Sequence, residues 1–520
     1  MLVFNAQYIC ANEHVIVHTQ YGDVLGYQTD LARVFYGIPF AQPPIGTLRW
    51  QSPVPITKWD PKVINATQPP PACSQPASVI TTILTPSIVS FLYNREWFYF
   101  LTDSHADSPH TSLLPVMIFI HGGDFQFGWG SQSIFESERL VNTTNVIVAL
   151  IQYRIGVLGF LATGNGPNDI KGNYGILDQR LAIAWIKANI DAFGGDPTEI
   201  TLFGQSAGAQ SIALHYVTSE MQSFFQRAII QSAPMTIPFR TYLEYVTPTV
   251  LLAEQLHCAT DDVACFRNRS TDEIIAAQTA VNSMLTSLNV LFFFEPWLPV
   301  IDNVIVHGQL LDTVYNTSFP LKPLIIGTVT EECRDFIYGT WKKPISPSEY
   351  IGIAFVIFQE KAFKILKKYP PVGSGDQRSL LSRVATQWVF ACSTRVFARK
   401  GATYSYVFGY PFDTENLRNR IECSDHACHA DEIPFLFESS WANFSDAGRR
   451  ISQSMATYWT NFGKSQDPNE PLRVPLSWPR VTSENEKYMY IQDPLQIGEN
   501  YLKSDCDFWD EIGYKHNFFE

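Results

Sequence analysis

No stretch of this 520-residue chain is long and apolar enough to span a membrane. Runs such as Ile351 to Phe358 stop far short of the roughly 20 residues a bilayer helix needs. Charge is scarce at 17% of residues, and basic charge is scarcer, with 37 lysines and arginines against 50 acids. The net charge of -13 repels phosphate backbones and argues against nucleic-acid binding. There is no internal repeat, no biased tract and no Gly/Ser or charged linker, which excludes solenoids and disordered chains. Paired zinc motifs are missing too. No His-Glu-x-x-His occurs, and Cys423, His426, Cys428 and His429 lack the second half of a paired site. What remains is globular: 46% hydrophobic and 14% aromatic.

Nine cysteines and five Asn-x-Ser/Thr sequons, at Asn65, Asn142, Asn268, Asn316 and Asn443, favour an oxidising, glycosylating compartment. The expectation is a secreted or secretory-lumen protein. Residues 1–14 lack a basic n-region and a good apolar h-region, so they read as a separate segment, an atypical or remnant signal. Residues 15–515 read as one large domain.

The middle of the chain alternates short apolar runs with amphipathic stretches. Val116 to Ile120, Val146 to Tyr153, Ile200 to Phe203, Arg227 to Gln231, Leu324 to Gly327 and Tyr404 to Phe408 read as buried strands. Gly175 to Ile190 reads as a helix with Ile176, Ala182, Trp185 and Ile186 inward, and a second helix starts near Ser206. This order predicts an α/β fold: a large, mostly parallel sheet with helices on both faces.

Gly204-Gln205-Ser206-Ala207-Gly208 fits G-x-S-x-G, whose small residues permit a sharp strand-to-helix turn that lifts a serine hydroxyl clear of the backbone. A plain Gly-rich turn would look the same, but here a strand precedes and a helix follows. Upstream, His121-Gly122-Gly123-Asp124-Phe125 ends another strand, where glycines let N–H groups face a carbonyl oxygen that gains charge. The N–H groups of Gly123, Asp124 and Ala207 would form a three-donor oxyanion hole.

Several stretches resemble the type-B carboxylesterase/cholinesterase family, which has the α/β-hydrolase fold. They are Phe35 to Pro39 with Pro43-Pro44, Gly172 to Arg180, Phe193 to Pro197, Phe203 to Gly208, and Trp459 to Gly463 with Asp467 to Asn469. The resemblance runs in the family's order from about Val15 to Glu511. It implies a serine carboxylic-ester hydrolase working through an acyl-enzyme on a small ester, with no metal or organic cofactor. The register places the nucleophile at Ser206, the acid at Glu332 in Gly327 to Cys333, and the base at His429 in His429 to Phe435. Without that register, Glu331 and His426 are equal candidates. The resemblance also implies disulfides Cys258–Cys265, Cys392–Cys506 and Cys423–Cys428.

Four departures stand out. Ser90 to Phe100 lacks the family's acidic pair and cysteine, which leaves Cys73 without its expected partner. Asp124 stands where Gly or Ala is usual, and Cys333 where Gly is usual. Cys10, Cys73 and Cys333 stay unassigned. Gln205 is neutral where cholinesterases carry an acid, and Trp97 does not fit the register of their choline-stacking tryptophan, so acetylcholine is disfavoured. Phe292 to Trp297 reads equally as acyl-pocket lining or core. The competing expectation is a catalytically silent adhesion or binding relative on the same fold.

Overall fold

The computed structural model describes residues 13–59, 62–76, 97–103, 112–288, 296–412, 420–482 and 485–514. Among the described residues thirteen strands form one sheet. In chain order they are β1 (Glu13–Thr19), β2 (Gly22–Gln28), β3 (Ala32–Pro39), β4 (Val63–Asn65), β5 (Trp97–Asp103), β6 (Leu114–Ile120) and β7 (Ile147–Ile151). Then follow β8 (Gly195–Gln205), β9 (Arg227–Gln231), β10 (Leu324–Val329), β11 (Tyr404–Phe408), β12 (Lys487–Ile491) and β13 (Gln496–Glu499). The spatial order is β1-β2-β3-β5-β7-β6-β8-β9-β10-β11-β12-β13, with β4 beside β2. From β7 to β12 every pairing is parallel, and antiparallel strands flank both sides.

Side chains alternate between the two faces, as the period-2 geometry of a strand requires. Ile118, Ile120, Ile200, Leu202 and Ile230 join one core with Ile176, Ile183 and Ile212, from the helices Tyr174–Asn189 and Ala207–Tyr216. Met117, Phe119, Phe203 and Ile229 face the other way, against Ile451, Met455, Trp459 and Phe462 of the helix Asp446–Ser465. Helices therefore cover both faces, and central strands buried on both sides read as continuous apolar runs.

The family-like stretches hold the frame together. Asp178, fully buried, accepts hydrogen bonds from Arg154 N at 3.0 Å, Nε at 2.7 Å and Nη2 at 2.6 Å, while Arg154 Nη1 donates to Gln51 O at 2.9 Å. One ion pair thus ties the segment after β7 to a helix and to the amino-terminal loops. Asn461 donates to Pro468 O at 3.0 Å and Leu472 O at 2.7 Å, which folds the Asp467 to Asn469 turn back onto its helix.

Disulfides join Cys258–Cys265, Cys392–Cys506 and Cys423–Cys428. In the chain-entropy picture the bridge of sequence separation 114 contributes about 5 kcal/mol, against about 2 for the two short loops. β5 runs from Trp97 between β3 and β7, so the end of the divergent Ser90 to Phe100 segment is a sheet strand; the rest of it, and Cys10, lie outside the described residues. Asn65, Asn268, Asn316 and Asn443 are exposed, whereas Asn142 is half-buried and donates to Leu31 O at 3.2 Å. No helix among the described residues is long and apolar enough to cross a membrane.

Removing one partner of the buried pair leaves the other charge uncompensated. Asp178→Ala is therefore expected to cost about 3–5 kcal/mol. Thermal or urea unfolding checks this, and an unchanged midpoint contradicts it.

Candidate active site

Register brings the carboxyl ends of β6, β8, β9 and β10 to one edge: Ile120 lies beside Gly204, Gln205 beside Gln231, and Gly327 beside Gln231. Ser206 follows β8 with φ 59° and ψ -129°, and the helix Ala207–Tyr216 starts at the next residue. Two glycines permit the turn. A Cβ on Gly208 would sit 2.0 Å from Ile120 O, and one on Gly204 2.7 Å from Gly208 O. Any side chain at either position would push the helix off the sheet.

The Gly122-Gly123-Asp124 loop packs directly on this turn, since a Cβ on Gly122 would meet Ser206 Cβ at 2.8 Å. Gly123 O accepts from the N–H groups of Gln126 at 2.8 Å and Phe127 at 2.9 Å. Asp124 and Phe125 take positive φ values of 52° and 55°. The Gly123 and Asp124 N–H groups donate to no other group among the described residues, and the Ala207 N–H opens its helix.

Glu332 lies in the turn after β10, fully buried. Its Oε1 accepts from Val329 N at 2.9 Å, and its Oε2 lies 2.5 Å from His429 Nδ1. This contact fixes the neutral tautomer with the proton on Nδ1 and leaves Nε2 basic. His429 sits on a turn closed by Asp431, whose Oδ2 accepts from Cys428 N at 2.7 Å, and Arg420 Nη2 holds Asp431 Oδ1 at 2.8 Å. The Cys423–Cys428 bridge and a backbone bond from Glu331 N to Ala427 O at 3.0 Å hold this loop against the Glu332 turn. The two alternatives pair with each other: His426 Nδ1 meets Glu331 Oε1 at 3.2 Å, in a partly exposed position.

Ser206 does not hydrogen-bond to His429 among the described residues. His429 Nε2 instead accepts from Gln205 Nε2 at 3.0 Å. The motif predicts the backbone turn at Gln205 but carries no signal for this side-chain contact. Ser206 and Asp124 share a small cavity with Ile237, Cys333, Phe336 and Phe390. The Phe336 and Phe390 rings each stand 5.2 Å from the imidazole. Trp297 is fully buried and donates to Asn282 Oδ1 at 2.8 Å, which places it in the core; Phe292 to Glu295 lie outside the described residues.

Burial pulls the His429 imidazole down, but Glu332, Glu432 and Asp124 outweigh it and hold its pKa above the ordinary value. Burial pushes the Asp124 carboxyl up to about 7, against the attraction of His429. Glu432, buried and facing Glu332, is pushed up to about 8 although His429 opposes the shift. Its Oε1 accepts from Gln231 Nε2 at 3.3 Å, and Gln231 Oε1 accepts from Trp459 Nε1 at 3.1 Å. Burial, then the Glu332 charge, also keeps the Cys333 thiol neutral.

The structure overlays a solved PNB esterase with a TM-score of 0.81 at 24% identity, covering 95% of this chain and 100% of that one, which defines the α/β-hydrolase fold. The carboxylesterase family profile matches residues 13–509, and the chain belongs to that family. A cAMP-regulated D2 protein of Dictyostelium discoideum is 31% identical over 98% of this chain and 95% of its own length. The acetylcholinesterase of Bungarus fasciatus is 29% identical over 95% and 86%.

Glu432 gives a test of the buried electrostatics. An acid whose folded pKa is raised contributes stability at low pH that is lost as pH climbs from its unfolded value to about 8. Glu432→Gln is expected to match the wild type near pH 4.5 and to unfold about 2–4 °C higher at pH 8.5. Equal differences at both pH values in thermal scans would contradict the assignment.

Proposed function

We propose that the protein hydrolyses carboxylic esters through an acyl-enzyme on Ser206. The observation that carries this reading is the buried Glu332–His429 hydrogen bond, which aims a basic Nε2 toward the Ser206 turn. Binding of an ester at the turn displaces the Gln205 amide from Nε2. His429 then takes the Ser206 proton as the oxygen attacks the carbonyl carbon. The Gly123, Asp124 and Ala207 N–H groups receive the negative oxygen, and Glu332 stabilises the imidazolium. The imidazolium returns its proton to the departing alcohol, and water cleaves the acyl-enzyme by the same steps. The three disulfides and four exposed sequons support a secretory-lumen or extracellular glycoprotein. The continuous sheet supports one domain over residues 15–515, with Glu13 and His14 joining its first strand.

One observation favours a second reading, a binding protein with a weak or silent site: the base nitrogen is held by Gln205 rather than by Ser206. Steady-state hydrolysis of p-nitrophenyl acetate and butyrate separates the two. Ser206→Ala is expected to lower kcat by about 10⁴-fold or more, with the folded state retained. Equal turnover by wild type and variant would overturn the proposed function.

A further inference from the structure

Asp124 is an unusual side chain for its place. It occupies a left-handed turn, at φ 52°, where glycine would serve without strain, in the loop whose N–H groups face the Ser206 turn. Its carboxyl makes no hydrogen bond and no ion pair among the described residues, and it lines the cavity of Ser206 beside Phe336 and Phe390. Among the described residues no lysine or arginine lines that cavity, and its only polar neighbours are the Ser206 hydroxyl and the Cys333 thiol. The carboxyl there is either a neutral acid or an anion without an opposite charge in the cavity.

The titratable groups around it are few. His429 faces it across the site, with Glu332 and Glu432 behind the imidazole. Cys333 lines the same cavity as a neutral thiol. His121, which precedes the loop, is buried and its pKa is lowered to about 4, so it is neutral. The carboxyl lies beyond ion-pair distance of the His429 nitrogens, while covalent geometry keeps it beside its own N–H. Ionised, it repels an oxyanion held by that N–H, while it attracts the imidazolium only from beyond ion-pair distance.

We propose that Asp124 is a rate-setting acid of the oxyanion loop: esters turn over in the form that carries Asp124 as the neutral carboxylic acid, and its ionisation beside the developing oxyanion shuts turnover down. The inference rests on the esterase reading above. It makes the enzyme one that works in a narrow range around neutrality, because the base His429 is itself held above the ordinary imidazole value. Activity rises as His429 loses its proton and falls as Asp124 loses its own. The raised position of the Asp124 carboxyl, about 7, sets the falling limb near neutrality.

The test is the pH profile of kcat/KM for an uncharged p-nitrophenyl ester between pH 5 and 9. Wild type, Asp124→Asn and Asp124→Gly are compared, each checked for folding by circular dichroism. Asn keeps the N–H and the size and tolerates positive φ, while Gly relieves the turn if Asn does not fold. The wild type is expected to peak near neutrality and to fall above it. The ratio of either variant to wild type is expected to grow about tenfold or more from pH 5.5 to 8.5. The rising limb moves to lower pH in the variants, because one of the charges that raises His429 is gone. Parallel profiles, or a wild type still rising at pH 8.5, overturn this inference alone. A wild type inactive at every pH overturns it together with the esterase reading.

Discussion

Between Gln205 and Ala207 the chain passes from strand to helix within one residue, and the approach is so close that Gly208 leaves no room for a Cβ against Ile120 O. That contact seats the helix against the end of β6, which lies in parallel register beside β8, as β9 does on the other side. The Gly122-Gly123-Asp124 loop rests on the same turn, and the Glu332 and His429 loops are fastened to each other over the neighbouring strands. A sheet buried on both faces gives these loops a rigid edge, and the candidate catalytic side chains are carried by its ends.

Charge at that edge is lopsided. Three carboxyls, Glu332, Glu432 and Asp124, act on one imidazole, and no arginine or lysine hydrogen-bonds any of them among the described residues. Only Glu332 has a full set of strong partners. Burial keeps protons on the other two well above the ordinary carboxylate range, which lets the interior hold three acids without three charges.

Much of this architecture is legible in the sequence, for physical reasons that also mark where legibility ends. Arg227 to Gln231 and Tyr404 to Phe408 read to the residue because central parallel strands are apolar on both faces. β1 and β2 escape such a reading: both are half-exposed, with mixed polar and apolar residues, and only pairing defines them. The strand expected at Ile200 to Phe203 is longer in the structure, where β8 already starts at Gly195. Motif register distinguishes Glu332 from Glu331 and His429 from His426, and the structure shows why a local reading cannot. Both pairs are Glu–His contacts, one buried and one at the surface. The Gln205 contact to His429 spans 224 residues and depends on a side-chain rotamer, which no local pattern specifies.

The central claim is that Ser206 is made nucleophilic by His429. Its most direct test is mass spectrometry of the folded protein after exposure to a fluorophosphonate, with peptide mapping. A single adduct on Ser206, abolished in His429→Ala, is the result expected. A folded wild-type protein that carries no adduct, or carries it undiminished in His429→Ala, would contradict the account.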